Sequence, residues 1–304
     1  MSGSALSDRQ RGTLLSVSAY LIWGFAGLYW IQTQPVDARD LLAHRVIWSV
    51  PLVMVSLAIA GRGRLLAALA LLRQPRTVAV LACAACCSAT NWLIFLWAVT
   101  HEHATEAALG YFLLPLVNVV IGLTLFRERI DGAQGIGIGF AAVAVLVQFV
   151  HYGGLPLVAL CLALSFGLYG AIRKWVHVES MEGLLLETLL MAPFALSWFF
   201  YRDGAGLGQH GGSVDLFLLG AGAMTALPLM AYVAASRLLP LSALGLVFYI
   251  GPTTQLLVAL LVFREPFDRV QALAFGLVWA GLLVVTWDSI RRARTLRRRM
   301  GKSD

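Results

Sequence analysis

Ionisable side chains are rare inside the apolar runs of this chain, and those few are the first candidates for chemistry. His44 and Arg45 are adjacent, Glu106 starts another apolar run, and Glu187 lies near the start of a later one. A guanidinium stays charged whatever its partner, so Arg45 is suited to bind an anion. An imidazole titrates near neutral pH and a desolvated carboxyl can hold a proton, so His44 and Glu187 are suited to carry protons.

Each of these groups also has a structural interpretation. Arg45 and Glu106 can form an ion pair that acts as an outer gate, but the same pair can simply fix helix packing. An arginine near a helix end can also extend its charge to the membrane interface. His44 can be a neutral hydrogen-bond donor to a backbone carbonyl. Glu187 can couple or gate transport, or it can form a structural hydrogen bond with a tyrosine such as Tyr232.

Amide and aromatic side chains form the second group of candidates. An amide suits either substrate contact or hydrogen bonding between membrane helices. The amides, and the threonine close to one of them, are Asn91, Asn118, Thr253 and Gln255. Aromatic rings away from the ends of apolar runs suit the wall of a cavity for amphipathic or cationic molecules, and equally a packed core. These rings belong to Trp23, Trp92, Tyr111, Tyr169 and Tyr249.

Membrane-spanning helices must position these side chains. Of the 304 residues, 59% are hydrophobic and only 13% are charged, with a mean hydropathy of +0.79. A soluble domain has about 25% charged residues, so this composition excludes a soluble fold. Since a span needs about 20 apolar residues, we predict an all-α integral membrane protein with ten transmembrane helices. Their ranges are 12–31, 41–60, 77–99, 104–126, 132–150, 155–172, 183–201, 214–235, 241–263 and 270–287.

Prolines lie inside several of these runs, among them Pro115, Pro228 and Pro252. We expect each span to tolerate its proline, because neighbouring helices can satisfy the backbone groups that a proline frees.

Lysine and arginine are distributed unevenly between the connecting segments. With the N-terminus in the cytoplasm, the inner segments hold 18 of these residues and the outer segments hold 4. This bias predicts a multi-pass protein of the inner (plasma) membrane with both termini cytoplasmic. The arginine-rich C-terminal segment is expected to rest on anionic lipid heads, and no nucleic-acid partner is predicted.

A sequence pattern recurs at a spacing of 137 residues. Pro115 recurs as Pro252, and Phe-Arg-Glu at 126–128 recurs at 263–265. Five spans therefore occur twice, and because five is odd the second copy is expected to be inserted upside down. Inverted repeats are typical of alternating-access carriers with a substrate site near mid-membrane. The predicted units are a cytoplasmic tail (1–11), two five-helix repeats (12–150 and 151–288) and a basic tail (289–304).

Several strings resemble the EamA type of the drug/metabolite transporter superfamily, and within it the RarD-like permeases. They include AYLIWG at 19–24, HRVIWS at 44–49 and YIGPT at 249–253. The resemblance covers about residues 12–288 and implies a plasma-membrane permease for small metabolites or drugs. It also implies a central cavity lined by spans one, three, four, six, eight and nine. Phe248 departs from the family pattern, which leads us to expect glutamine there.

These observations together predict a secondary active transporter, and specifically an exporter, rather than an enzyme. Its small-molecule substrate is an amino acid, a metabolite or an amphipathic drug, with protons as the candidate coupling ion. An uncoupled facilitator or channel-like pore is the first alternative, and a membrane-embedded enzyme or scaffold is the second. No cofactor or metal is expected: Cys83, Cys86 and Cys87 lie at helical spacing in one span without a fourth ligand.

Overall fold

The computed structural model describes the backbone of residues 7–127, 129, 132–239 and 241–300, and their side chains except at 180, 241–242, 245–246, 289 and 292–300. This part of the chain forms helices and no β-strand. The helices are α1 (Asp8–Trp30), α2 (Ala38–Ala60), α3 (Arg62–Ala70), α4 (Pro75–Thr100), α5 (Ala104–Leu125), α6 (Gly132–Tyr152), α7 (Leu157–Arg173), α8 (Ser180–Tyr201), α9 (Gly212–Ser236), α10 (Leu241–Phe248), α11 (Ile250–Leu261) and α12 (Arg269–Met300).

Eight of the described helices are long and apolar enough to cross a bilayer, namely α1, α2, α4, α5, α6, α8, α9 and α12. The helices α7 and α11 are apolar but shorter, with 17 and 12 residues. The helix α7 matches the predicted span 155–172, and α11 lies in the second half of the predicted span 241–263. The structure therefore confirms an all-helical chain with many membrane-spanning segments, and the count of ten spans stays a prediction.

Local sequence explains where several helices begin. Ser7 starts α1 with a capping box, in which its hydroxyl accepts from the Gln10 N–H at 3.3 Å and the Gln10 side chain accepts from the Ser7 N–H at 2.9 Å. Asp37 caps α2 by accepting from the N–H of Arg39 at 2.8 Å. Pro75 opens α4, a position where a helix has no use for the missing N–H.

The two prolines that match in the repeat have different effects. The helix α5 continues through Pro115, whereas the ninth predicted span is divided at Tyr249 into α10 and α11. Pro252 cannot donate to the carbonyl of Phe248, and its ring crowds that group, so α10 ends there. The predicted span 241–263 thus contains a break in the helix, and its crossing of the membrane stays a prediction.

Eight helices pack side by side in a closed ring. Around the ring the order is α1, α9, α2, α8, α4, α7, α5 and α11, which contacts α1 again. The helices α6 and α12 pack against each other outside the ring and contact it through α5. The ring encloses one interior. The helices around it include those that carry candidate residues, namely α1, α2, α4, α5, α7, α8 and α9.

A short helix that the sequence analysis did not anticipate, α3, joins the ring to a charged network at one end. The Nη2 atom of Arg64 lies 2.6 Å from carboxylate oxygens of both Glu179 and Glu182, at the start of α8. Arg237, after the end of α9, contacts Glu179 at 2.8 Å. The hydrogen bond from Arg64 to Glu182 raises the pKa of Arg64 above the ordinary arginine value. Arg64 therefore stays charged throughout the working pH range.

Candidate functional site

Arg45 is a buried cation enclosed by four helices. It lies two turns into α2, about 10 Å along the helix from Ala38, and is 8% exposed. Its Nε donates a hydrogen bond of 2.8 Å to the hydroxyl of Thr225 on α9. Its guanidinium carbon lies 4.2 Å from the ring centroid of Trp92 on α4 and 5.7 Å from that of Trp30 on α1. Cation–π contacts of this kind stabilise a desolvated charge.

The predicted ion pair between Arg45 and Glu106 is wrong. Glu106 lies in the first turn of α5, where its Oε1 is 3.0 Å from Nδ1 of His103. The helices α2 and α5 occupy opposite sides of the ring, so these two charges meet other partners. The sequence could place both residues near the same end of their spans, but it could not give the order of the helices around the ring.

We expect the substitutions Arg45→Ala and Glu106→Ala to act independently on stability. In a double-mutant cycle their effects should add to within about 0.5 kcal/mol, as is usual for residues that share no partner. Thermal unfolding in detergent, read by intrinsic fluorescence, measures each variant. A coupling energy above about 1 kcal/mol between the two substitutions would show that Arg45 and Glu106 interact after all. The cycle of Glu106→Ala with His103→Ala is the matched comparison.

His44 uses both of its ring nitrogens. Its Nδ1 accepts a hydrogen bond of 3.1 Å from the indole N–H of Trp48, and its Nε2 lies 3.2 Å from the carbonyl oxygen of Ala205. Because Nδ1 accepts, the proton of the imidazole resides on Nε2 and is donated to that carbonyl. This geometry corresponds to the neutral donor among the two interpretations of His44, and it ties α2 to the loop between α8 and α9.

Asn91 joins three helices through its amide. Its Nδ2 donates to the carbonyl of Leu162 at 3.0 Å and to the hydroxyl of Ser165 at 3.1 Å, both on α7. Its Oδ1 accepts from the hydroxyl of Tyr111 on α5 at 3.1 Å. Asn91 is 1% exposed, so the amide acts as a hydrogen-bonded junction between α4, α5 and α7.

A second charged centre surrounds Glu187 on α8. Its Oε2 accepts a hydrogen bond of 3.3 Å from the hydroxyl of Tyr169, and its Oε1 lies 3.5 Å from Nε of Arg173, both on α7. The suggested partner Tyr232 is wrong, since its ring packs on Tyr20 and Trp23. The loop between α7 and α8 is only six residues long, which brings the end of α7 back to the start of α8.

Aromatic rings from three helices form one edge-to-face cluster. Tyr20 and Trp23 on α1 contact Tyr232 on α9, and Tyr20 also contacts Phe248 at the end of α10, with ring centroids 5.5 to 6.2 Å apart. Phe248, where the resemblance led us to expect glutamine, packs its ring in this cluster. Tyr249 contacts Phe248 edge to face, with centroids 5.6 Å apart, and stacks on Phe112 of α5 at 6.5 Å.

The remaining predicted residues divide into two groups. The amide nitrogen of Gln255 donates to the carbonyl of Trp23 at 3.3 Å, which leaves its buried Oε1 without a partner among the described atoms. Thr253 and Asn118 are exposed, and within the described ranges neither side chain makes a hydrogen bond. Neither side chain therefore hydrogen-bonds Arg45 or Glu187.

Sequence reasoning missed several residues that complete these centres, namely Tyr20, Trp30, Arg173 and Thr225. A signal for Arg173 was available, because it directly follows the predicted span 155–172 and precedes the span of Glu187. Thr225 carries no signal, since a threonine in an apolar run is commonplace.

An open groove of about 570 Å³ lies between α5, α6 and α7 and contains none of the predicted site residues. Its lining is aliphatic apart from Phe149, with Leu113 and Val117 from α5 and Ile138 from α6. A wholly apolar groove cannot orient a polar solute, so the candidate site is assigned to the ring interior around Arg45 and Glu187.

Comparison with known proteins identifies the family. The model of the EamA-like transporter family matches residues 10–150 and again residues 155–287. A solved structure that is 20% identical superimposes with a TM-score of 0.60, covering 91% of this chain and 97% of its own, which shows a shared fold.

Three curated relatives align over nearly their full length. "Protein RarD" of Escherichia coli K12 is 38% identical over 94% of this chain and 97% of its own. An "Uncharacterized transporter" of Vibrio cholerae is 36% identical over 96% and 97%. "Chloramphenicol-sensitive protein RarD" of Pseudomonas aeruginosa is 31% identical over 95% and 98%. The apolar helices and these matches lead to one conclusion: the chain is a multi-pass membrane protein that belongs to the EamA-like transporter family.

Proposed function

We propose that this protein is a secondary active transporter that exports a small organic solute across the bacterial inner membrane by alternating access. In this proposal ten spans form two inverted five-helix repeats, residues 12–150 and 151–288, and both termini are cytoplasmic. The substrate moves through the interior of the helix ring, between the Arg45 centre and the Glu187 centre. No cofactor takes part.

The observation that carries this proposal is the antiparallel pairing of equivalent helices. In the proposed repeat, α2 corresponds to α8. Asp40 at the start of α2 accepts from the indole of Trp198 at 2.8 Å and lies 3.4 Å from Arg202, both at the end of α8. Glu182 at the start of α8 in turn binds Arg64, just beyond the end of α2. The two helices therefore run in opposite directions, as an inverted repeat requires.

Two further pairs follow the same rule. Glu265, just after α11, binds the start of α5, and Tyr152 at the end of α6 hydrogen-bonds Asp268 just before α12. The backbone also repeats, since Arg127 and Arg264 stand 137 residues apart and both have a left-handed φ, of 52° and 55°. Exchanging the two repeats leaves the neighbours of each helix in the ring unchanged. This pseudo-twofold symmetry supports a substrate passage between the two repeats.

Proton coupling is assigned in this proposal to Glu187. It is 1% exposed, and among the described side chains Arg173 and Tyr169 are its charged or titratable contacts. A carboxyl held between one cation and one phenol can release or take up a proton as its access to water alternates. His44 is left out of the coupling step because both of its nitrogens are engaged.

We expect Glu187→Gln to give a flux that no longer responds to a pH gradient, because the amide cannot exchange a proton. Glu179→Gln, which removes an exposed carboxylate from the network at the start of α8, is the matched control and should keep the response. Flux into proteoliposomes with and without an imposed pH gradient measures both variants. An undiminished gradient response in Glu187→Gln would remove this residue from the coupling mechanism.

The transport function itself is tested with a pooled mixture of metabolites and antibiotics. The purified protein is reconstituted in liposomes, and mass spectrometry measures which compounds cross with and without a pH gradient. Gradient-driven movement of one compound class supports a proton-coupled carrier. Gradient-independent movement would make the protein a facilitator, and no movement of any compound would contradict transport.

A further inference from the structure

Arg45 is a buried cation, and the buried carboxylates of the described residues have other partners. Four buried carboxylates lie in the part of the chain that the structure describes, and each is engaged elsewhere. Asp40 binds Trp198 and Arg202, Glu182 binds Arg64, Glu187 binds Arg173 and Tyr169, and Glu265 binds two backbone N–H groups. Arg45 therefore lacks a carboxylate counter-ion within the described chain.

Most of the donors on Arg45 are also unused. A guanidinium has five N–H donors in a planar fork. The described contacts use one of them, the Nε–H that binds Thr225. The face of the fork is covered by Trp92, which leaves its edge, with both Nη atoms, for an acceptor in the plane. The residue as a whole remains 8% exposed.

We propose that Arg45 binds the carboxylate of the transported solute, so that the substrate is a small organic anion with an apolar body. This inference rests on the proposed transport function and names its substrate class. A carboxylate matches the two parallel N–H groups of a guanidinium edge and supplies the missing negative charge. The indole of Trp92, 4.2 Å from the guanidinium carbon, offers the apolar body an aromatic wall.

The same charge selects against other solutes. A fixed cation in a low-dielectric interior repels a cationic amphiphile, and a neutral amide of the same shape forms weaker hydrogen bonds with it. The sequence analysis left amino acids, metabolites and amphipathic drugs as substrates. The charge of Arg45 favours organic acids among them over cationic and neutral drugs.

Binding of a matched series tests this assignment. The full-length protein in nanodiscs is dialysed against radiolabelled 3-phenylpropanoate, 3-phenylpropanamide or 3-phenylpropylamine, which differ in the charge of one terminal group. We expect the anion to bind at least 10-fold more tightly than the amide, and the amine to show no binding. Arg45→Gln should weaken binding of the anion by about 10- to 100-fold, the range for a hydrogen bond to a charged group, and leave the amide unchanged.

Two variants separate binding from folding. Arg45→Lys keeps the charge but not the planar fork, so its affinity for the anion should fall between those of wild type and Arg45→Gln. Arg202→Gln removes a cation that is already paired at the end of α8, and should bind the anion like wild type. The melting temperature of each variant shows whether a loss of binding reflects unfolding.

Three results would overturn the assignment: equal binding of anion and amide by wild type, undiminished anion binding by Arg45→Gln, or no binding of the anion. The pooled flux assay distinguishes this failure from failure of the transport function. If only neutral or cationic compounds cross, the transport function is supported and the anion site is contradicted. Anion binding that depends on Arg45, without flux of any compound, keeps the site and rejects transport.

Discussion

Replacing Glu265 by alanine is expected to lower the free energy of unfolding by about 2 to 6 kcal/mol, because it leaves two buried backbone N–H groups without a partner. The carboxylate oxygens of Glu265 accept from the amides of Ala104 and Thr105, each at 2.7 Å. These amides open α5, where helix N–H groups have no partner inside the helix and the dipole favours a negative charge. Glu265 is 8% exposed, so water cannot fully replace it.

Thermal unfolding in detergent measures this effect. Glu265→Gln keeps one acceptor oxygen and should retain about half of the stabilisation. Glu102→Gln removes the same charge from the exposed loop just before α5 and should melt like wild type. An unchanged melting temperature in Glu265→Ala would show that the contact does not hold α5 to the segment after α11.

The second large effect is expected at Gly222, where α9 crosses α2. A Cβ at this position would overlap the carbonyl group of Trp48 and lie 2.7 Å from the backbone nitrogen of Ser49. Both obstacles are backbone atoms that cannot rotate away, so Gly222→Ala should destabilise the protein by about 3 kcal/mol or more. Gly222 lies one turn before Thr225, so the displaced helix should also lose the hydrogen bond to Arg45.

Gly139→Ala is the matched control for this substitution. A Cβ on Gly139, in the middle of α6, meets no atom within 4 Å. Alanine is the better helix former by about 1 kcal/mol, so this variant should be as stable as wild type or slightly more so. Reconstituted flux and melting temperature measure both variants, and a Gly222→Ala protein with wild-type values would contradict the close crossing.

The architecture could be predicted in outline from the sequence because the bilayer imposes strong rules. Apolar runs of about 20 residues identify spans in any fold, and these runs correspond to the helices of the structure. The strings at 19–24, 44–49 and 249–253 were long enough to identify the family. The sequence could not distinguish Pro252 from Pro115, which match in the repeat, although the helix breaks near Pro252 and α5 continues through Pro115.

The sequence by itself determined which polar side chains lie inside the membrane, and Arg45, Asn91 and Glu187 were all identified in this way. Only the tertiary structure decided their partners. Asn91 and Glu187 both turned to α7, and Arg45 lay between Thr225 and Trp92 and not against Glu106. The physical reason is that all spans share one apolar pattern. The order of the helices around the ring depends instead on close packing at positions such as Gly222 and Gly110. Composition and periodicity do not encode that packing.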